Sequence, residues 1–187
     1  VDNSKNKKIN DILNLYLSKG ETMYDNNITQ LEHSLQVTEL AKKKGKSDKF
    51  QLMCFLHDIG HLLLDENKNN KNFLEKDLYH EMVGYKFLKK YFKKEIVEPI
   101  KFHVLAKRYL CSIDNSYYDK LSVSSKQSFK IQGGKISKNY CKYLENNKYF
   151  KDALELRKIE DLSKIENNKN LSIDLEYAKN LVEKFIN

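Results

Sequence analysis

The sequence has 187 residues, 34 Lys+Arg against 26 Asp+Glu for a net charge of +8, and 40% apolar with 11% aromatic residues. A chain of this length fits one domain and removes about 70% of its unfolded surface from water, which excludes both global disorder and dependence on covalent staples. Only Arg108 and Arg157 are arginines, so the positive charge is a scatter of lysines on solvated faces, which argues against a nucleic-acid partner.

With one proline, Pro99, and six glycines, little interrupts helices, and the expected fold class is all-α. Ile9, Leu13, Leu15 and Leu17 predict a first helix that Gly20 ends. Thr29 precedes Glu32 by the capping-box spacing, and a second helix runs to about Lys44 with Leu31, Leu35 and Leu40 near one face, stopped at Gly45. Ser47 caps a third helix over 48–64, the most apolar stretch, with Phe50, Leu52, Met53, Phe55, Leu56 and Ile59. Residues 65–72 are polar and read as a loop. A fourth helix over 73–92 places Leu78, Met82, Tyr85, Leu88 and Phe92 on one stripe. The fifth runs from near Glu95 to Leu110 and holds Pro99 within its first turn. Helices over 116–129 and 152–164 follow, separated by Gln132-Gly133-Gly134, whose glycines suit a turn needing positive φ, and a last amphipathic helix spans 172–185. Cys54, Cys111 and Cys141 are odd in number and far apart, so they spell neither a disulfide framework nor a metal knuckle and predict a reducing compartment. No apolar run approaches the roughly 20 residues of a membrane span. Residues 1–10 lack the apolar core of a leader, and the expected location is cytoplasmic.

The five histidines carry the chemistry: His33, His57 with Asp58 and then His61, His80 and His103 fall on four consecutive expected helices. Facing helices of a bundle can aim such groups at one interior point and build a di-metal site there. The string Phe55-Leu56-His57-Asp58-Ile59-Gly60-His61 is apolar around its polar pair, and burying a carboxylate beside an imidazole is costly without a compensating cation. Lys107 follows His103 by four residues and His61 follows His57 by four, so each shares a face with its predecessor; Arg157 lies three before Glu160 and Lys164 four after it. Cations converging on a metal centre suit a phosphonate or phosphate, which Arg holds bidentately and to which Ser125 can donate.

His33, the His57-Asp58 doublet and a later acidic residue resemble the H…HD…D signature of the HD-domain superfamily of helical metalloenzymes. With His80 and His103 added, and with Ile28-Thr29-Gln30-Leu31-Glu32-His33, His103 through Leu110, Leu121-Ser122 with Ser125, and Gln132-Gly133-Gly134, the chain is similar over 24–164 to the mixed-valence di-iron oxygenases that cleave 1-hydroxyalkylphosphonates, relatives of inositol oxygenase. The resemblance implies an HD-domain helical bundle over 1–187 with the di-metal site in its core. It implies two iron ions, Fe(II)/Fe(III), with O2 as co-substrate, held by His33, His57, Asp58, His80 and His103, with Asp58 bridging. Glu160 stands in the register of the sixth ligand, where the family has Asp, and Asp161 is the alternate, although it points about 100° away on a helix. The implied reaction breaks the carbon–phosphorus bond of a small anionic phosphonate to give phosphate and a carboxylic acid, with Asp58, His61 and Lys107 catalytic and His61, Lys107, Ser125, Arg157 and Lys164 holding the anion. No nucleic acid, membrane or obligate protein partner is implied. Members acting on aminated substrates carry Tyr-x-x-Glu before the first His; here Met23 and Asn26 occupy those registers, a one-residue deletion restores Tyr24, and loss of the Glu points to an uncharged tail such as hydroxymethylphosphonate. The rival readings are an HD-domain phosphohydrolase, in which two divalent ions activate water, and an inert metal-stabilised module that binds a polyanion.

Overall fold

The computed structural model describes residues 3–24, 27–64, 79–166 and 170–187, and every regular element among them is a helix. In chain order these are α1 (Asn3–Lys19), α2 (Gln30–Lys43), α3 (Asp48–Leu56), α4 (Ile59–Leu63), α5 (His80–Leu88), α6 (Lys94–Ile113), α7 (Asn115–Lys120), α8 (Val123–Ile131), α9 (Lys138–Glu145), α10 (Phe150–Glu166) and α11 (Leu175–Phe185). The expected loop over 65–72 and the first part of the expected fourth helix, through residue 78, lie outside the described residues.

Side-chain caps start most of these helices. The Thr29 hydroxyl accepts from Glu32 N at 3.2 Å while the Glu32 carboxylate accepts from Thr29 N at 2.7 Å, the reciprocal capping box anticipated for α2. Ser47, Asp114, Ser122, Ser137 and Asp174 cap α3, α7, α8, α9 and α11 in the same manner, each satisfying a first-turn N–H. Gly45, at φ 69°, terminates α2 in the left-handed region.

The core fills the space between α1, α2, α3, α6, α10 and α11, with Ile12, Tyr16, Leu52, Met53, Phe55, Leu56 and Ile100 fully buried. Each such side chain contributes about 1.5–3 kcal/mol of transfer free energy. Tyr16 stacks on Phe55 at 4.3 Å between centroids and donates its hydroxyl to Phe55 O at 2.7 Å, which joins α1 to α3. A second cluster, Phe102, Tyr109, Leu144, Phe150 and Ala153, seals α6 against α9 and α10. α6 and α10 form the most extensive helix pair, and these two rods carry much of the site.

Several boundaries differ from expectation. Along α1 the buried face is Ile9, Ile12, Leu13 and Tyr16, whereas Leu17 is exposed. The apolar stretch over 48–64 is two helices, because the chain turns at His57-Asp58, where Asp58 has φ −104° and ψ 12°. α5 ends at Leu88 rather than 92. α6 begins at Lys94, which puts Pro99 in the second turn, where its missing N–H forgoes the bond to Glu95 O. The segment 116–129 also divides, with Leu121 extended at ψ 147° between α7 and α8. α9 was not anticipated; it is short and buries only Cys141 and Leu144. Cys54, Cys111 and Cys141 are free and buried. No helix among the described residues is long and apolar enough to cross a membrane.

Candidate metal centre

The turn at His57-Asp58 sets the site. On an uninterrupted helix two adjacent side chains diverge by about 100°, yet here His57 Nε2 and Asp58 Oδ2 lie 3.2 Å apart. α2 brings His33 Nε2 to 3.6 Å from the same oxygen. The other oxygen, Oδ1, faces the opposite pair: His80 Nε2, on the first residue of α5, and His103 Nε2, on α6, are each 3.3 Å away. One buried carboxylate therefore stands between two pairs of imidazoles. Glu160, on α10, completes the first group, with Oε2 3.9 Å from His57 Nε2. His33, His57, Asp58 and Glu160 form one set with metal-holding spacing; Asp58, His61 and His80 form another, in which the His61 ring stacks on His80 at 3.9 Å.

The tautomers favour a cation. His57 Nδ1 donates to Cys54 O and His103 Nδ1 to Ile100 O, both at 2.7 Å, so each Nε2 turns a lone pair inward. His80 Nε2 meets His103 Nε2 at 3.1 Å. Among the described residues no hydrogen-bond partner reaches His57 Nε2 or either ring nitrogen of His33, although all are buried. Inward lone pairs and a fully buried carboxylate are the donor set a divalent transition ion wants and an arrangement that is costly to leave without one. Burial opposes ionisation of Asp58, but the surrounding imidazoles of His57, His103 and His80 outweigh it and hold the carboxyl well below its usual range. Burial and the neighbouring His61 push His80 down to about 3, and burial with Lys164 and His57 lowers His33, so both imidazoles remain neutral at neutral pH. For Glu160, burial is likewise outweighed, here by Arg157, Lys164 and His57.

Beside the carboxylates lies a cationic wall. Arg157 directs NH1 at both Glu160 oxygens at 3.0 Å and NH2 at Ser125 Oγ at 3.2 Å. Lys164 Nζ reaches Glu160 Oε1 at 2.7 Å and Ser125 Oγ at 3.3 Å. Lys107 is 3% exposed and donates to Ser128 Oγ at 2.6 Å; burial and the adjacent Arg157 lower its pKa to about 7. Tyr24 stacks face to face on His33 at 3.8 Å, with Lys164 Nζ 5.2 Å from its ring. Tyr24, not Met23, thus takes the place at the site, while Met23 is exposed. Asn26, the other candidate there, lies outside the described residues.

The structure brings His33, His57, Asp58, His61, His80, His103, Lys107, Ser125, Arg157, Glu160, Lys164 and Tyr24 into one region. Asp161 is directed elsewhere: its carboxylate accepts Arg157 Nε at 3.0 Å, Arg157 NH2, and the Tyr117 hydroxyl. Arg157 therefore does not present an open fork; Asp161 already occupies one edge of the guanidinium. Sequence reasoning missed Ser128, whose signal was its place one turn after Ser125, and Tyr117, for which no local signal exists. It also missed how Arg108 joins two motifs: its Nε and NH2 donate to Gly134 O at 2.8 Å and Gly133 O at 3.2 Å, clamping the left-handed glycine turn that ends α8.

Comparison with known proteins adds a second line of observation. The family model described as HD domain matches residues 31–179. Hydroxymethylphosphonate dioxygenase of Gimesia maris is 38% identical over 159 residues, 85% of this chain and 79% of that protein. [1-Hydroxy-2-(trimethylamino)ethyl]phosphonate dioxygenase (glycine-betaine-forming) of Leisingera caerulea is 32% identical over 137 residues, 73% and 69% of the two chains. A protein of Acanthamoeba polyphaga mimivirus is 34% identical over 182 residues, 96% and 82%.

Proposed function

Because the chain belongs to the HD-domain family and shares most of its length with the two phosphonate dioxygenases, we propose that it is a di-iron oxygenase that cleaves the carbon–phosphorus bond of a 1-hydroxyalkylphosphonate. The observation that carries the di-metal part is Asp58, one buried carboxylate whose two oxygens face separate imidazole pairs. His33, His57, Glu160 and Asp58 would hold one iron, and His80, His103 and Asp58 the other. When bound, the irons supply the one-electron chemistry that lets O2 react with a closed-shell substrate.

The substrate we favour is hydroxymethylphosphonate or a congener with a small uncharged tail. The greater identity to the hydroxymethylphosphonate enzyme and the loss of the Glu of the Tyr-x-x-Glu pair, with Asn27 three residues after Tyr24, both support this. The net reaction balances: hydroxymethylphosphonate dianion and O2 give formate, hydrogen phosphate and one proton. A C–H and the C–P bond break, and the substrate supplies the four electrons that reduce O2.

The protein's own part is orientation and charge. Lys107, Lys164, Arg157 and Ser125 converge where the phosphonate oxygens belong, and charge-assisted hydrogen bonds in a site this dry are strong and directional. His61, stacked on His80, stands at the edge of the metal groups. The stacked Tyr24 ring shields His33 from solvent.

The test is anaerobic purification, metal analysis, and O2 uptake with hydroxymethylphosphonate while formate and phosphate are assayed. Two irons per chain and stoichiometric O2, formate and phosphate support the proposal. Phosphate release without O2 makes the protein a hydrolase, and retained metal without turnover of phosphonates makes it a binder.

A further inference from the structure

Asp161 follows Glu160 directly, yet the two carboxylates serve opposite ends of one guanidinium. Asp161 is side-on to the Nε/NH2 edge of Arg157 and also accepts the Tyr117 hydroxyl. The remaining edge, NH1 and NH2, points at Glu160 and Ser125, and Ser125 in turn meets Lys164. The whole arginine is buried, at 3% exposure. Tyr117 ties this end-held group to α7, an element with no residue in the metal centre.

We propose that Asp161 and Tyr117 are positioning residues that fix Arg157 with its NH1/NH2 edge toward the anionic group of the substrate, Asp161 standing outside the metal centre. The inference rests on the phosphonate reading only for the identity of the anion. Its physical content is pre-organisation. A free arginine is rotamer-rich, and an anion that must immobilise it loses affinity. A carboxylate clamped to one edge of the fork removes that freedom beforehand and keeps the opposite edge, which Glu160 and Ser125 meet here, aimed at the ligand's place. The buried positive charge also keeps a counter-charge when Glu160 turns to a metal. Tyr117 acts one step further out, by holding the Asp161 carboxylate through its hydroxyl.

The inference is tested by calorimetric titration of methylphosphonate into iron-loaded wild type, Asp161→Ala, Asp161→Asn, Tyr117→Phe and Arg157→Ala, with iron content and steady-state kinetics measured on the same preparations. Asp161→Ala is expected to weaken methylphosphonate about tenfold and to raise KM more than it lowers kcat, with two irons retained. Asp161→Asn, which keeps one accepting oxygen, recovers part of that loss, and Tyr117→Phe weakens binding two- to threefold. Loss of iron from Asp161→Ala or Asp161→Asn overturns the inference by making Asp161 a ligand. Unchanged affinity in Asp161→Asn and Tyr117→Phe, beside a loss in Arg157→Ala, overturns it as well while leaving wild-type phosphonate turnover, and hence the proposed function, intact. A wild type that neither binds nor turns over phosphonates overturns both, and is recognised before any variant is made.

Discussion

Asp58 is the hub of the site, because its two oxygens face four imidazoles at separations of 3.2–3.6 Å. Asp58→Ala is expected to lose both metals, read as metal per chain by elemental analysis; a variant that keeps two ions has no bridging carboxylate. Lys107 makes a different prediction. Its pKa of about 7 in the folded protein lies below the unfolded value near 10.4. Between those values the unfolded chain holds a proton that the folded chain has released, so this residue's contribution to stability rises with pH across about 7 to 10.5. Below 7 the buried amine is charged in both states and its full penalty, a few kcal/mol by the size of that shift, is present. Lys107→Met should therefore exceed wild type in denaturant midpoint most at pH 6, with the gap shrinking by pH 9. A gap that widens with pH contradicts the assignment.

At the level of elements, the important contact is between backbones. A Cβ on Gly60 would fall 1.9 Å from His80 O and 2.6 Å from His80 C, so only glycine lets α4 approach the start of α5. Gly60→Ala is expected to push His80 outward, destabilise the fold by about 1–3 kcal/mol, and lower metal occupancy toward one ion per chain, with the His33 and His57 group kept. Loss of both ions at once would show that the two halves of the centre are not separable. The helices themselves were legible where caps and apolar period agree, as at Thr29 and Ser47. The division at His57-Asp58 was not, since Phe50 through Leu64 is mostly apolar and no glycine or proline marks position 57 or 58. The break is imposed by tertiary demand, two adjacent residues needing one target. The candidate ligands were legible because histidine is scarce here and recurs at helix intervals. The roles of Tyr117, Ser128 and Arg108 were hidden, since each depends on which distant helix lies opposite.

Taken whole, the molecule buries four carboxylates (Glu39, Asp58, Glu81 and Glu160), two cations (Lys107 and Arg157) and five imidazoles among its described residues, and such groups lower stability unless paired. A metal bound among them would be part of the folding equilibrium. At free metal 100 times its dissociation constant each site adds about 2.7 kcal/mol, and roughly 2–4 °C per kcal/mol for a chain of this size predicts that a chelator lowers Tm by on the order of 10–20 °C with both sites filled. Calorimetry of the iron-loaded and chelator-treated protein checks this, and identical Tm values contradict resident metals.

On α6, His103 and Lys107 stand four residues apart, and on α10 so do Glu160 and Lys164. A rise of about 1.5 Å per residue sets each span near 6 Å. The two rods work as a calliper whose jaws are graduated by helical pitch. Side-chain exchange leaves that gauge unchanged. A single inserted residue between the paired positions would swing the second jaw about 100° off its face, so the common facing of each pair is written in the backbone.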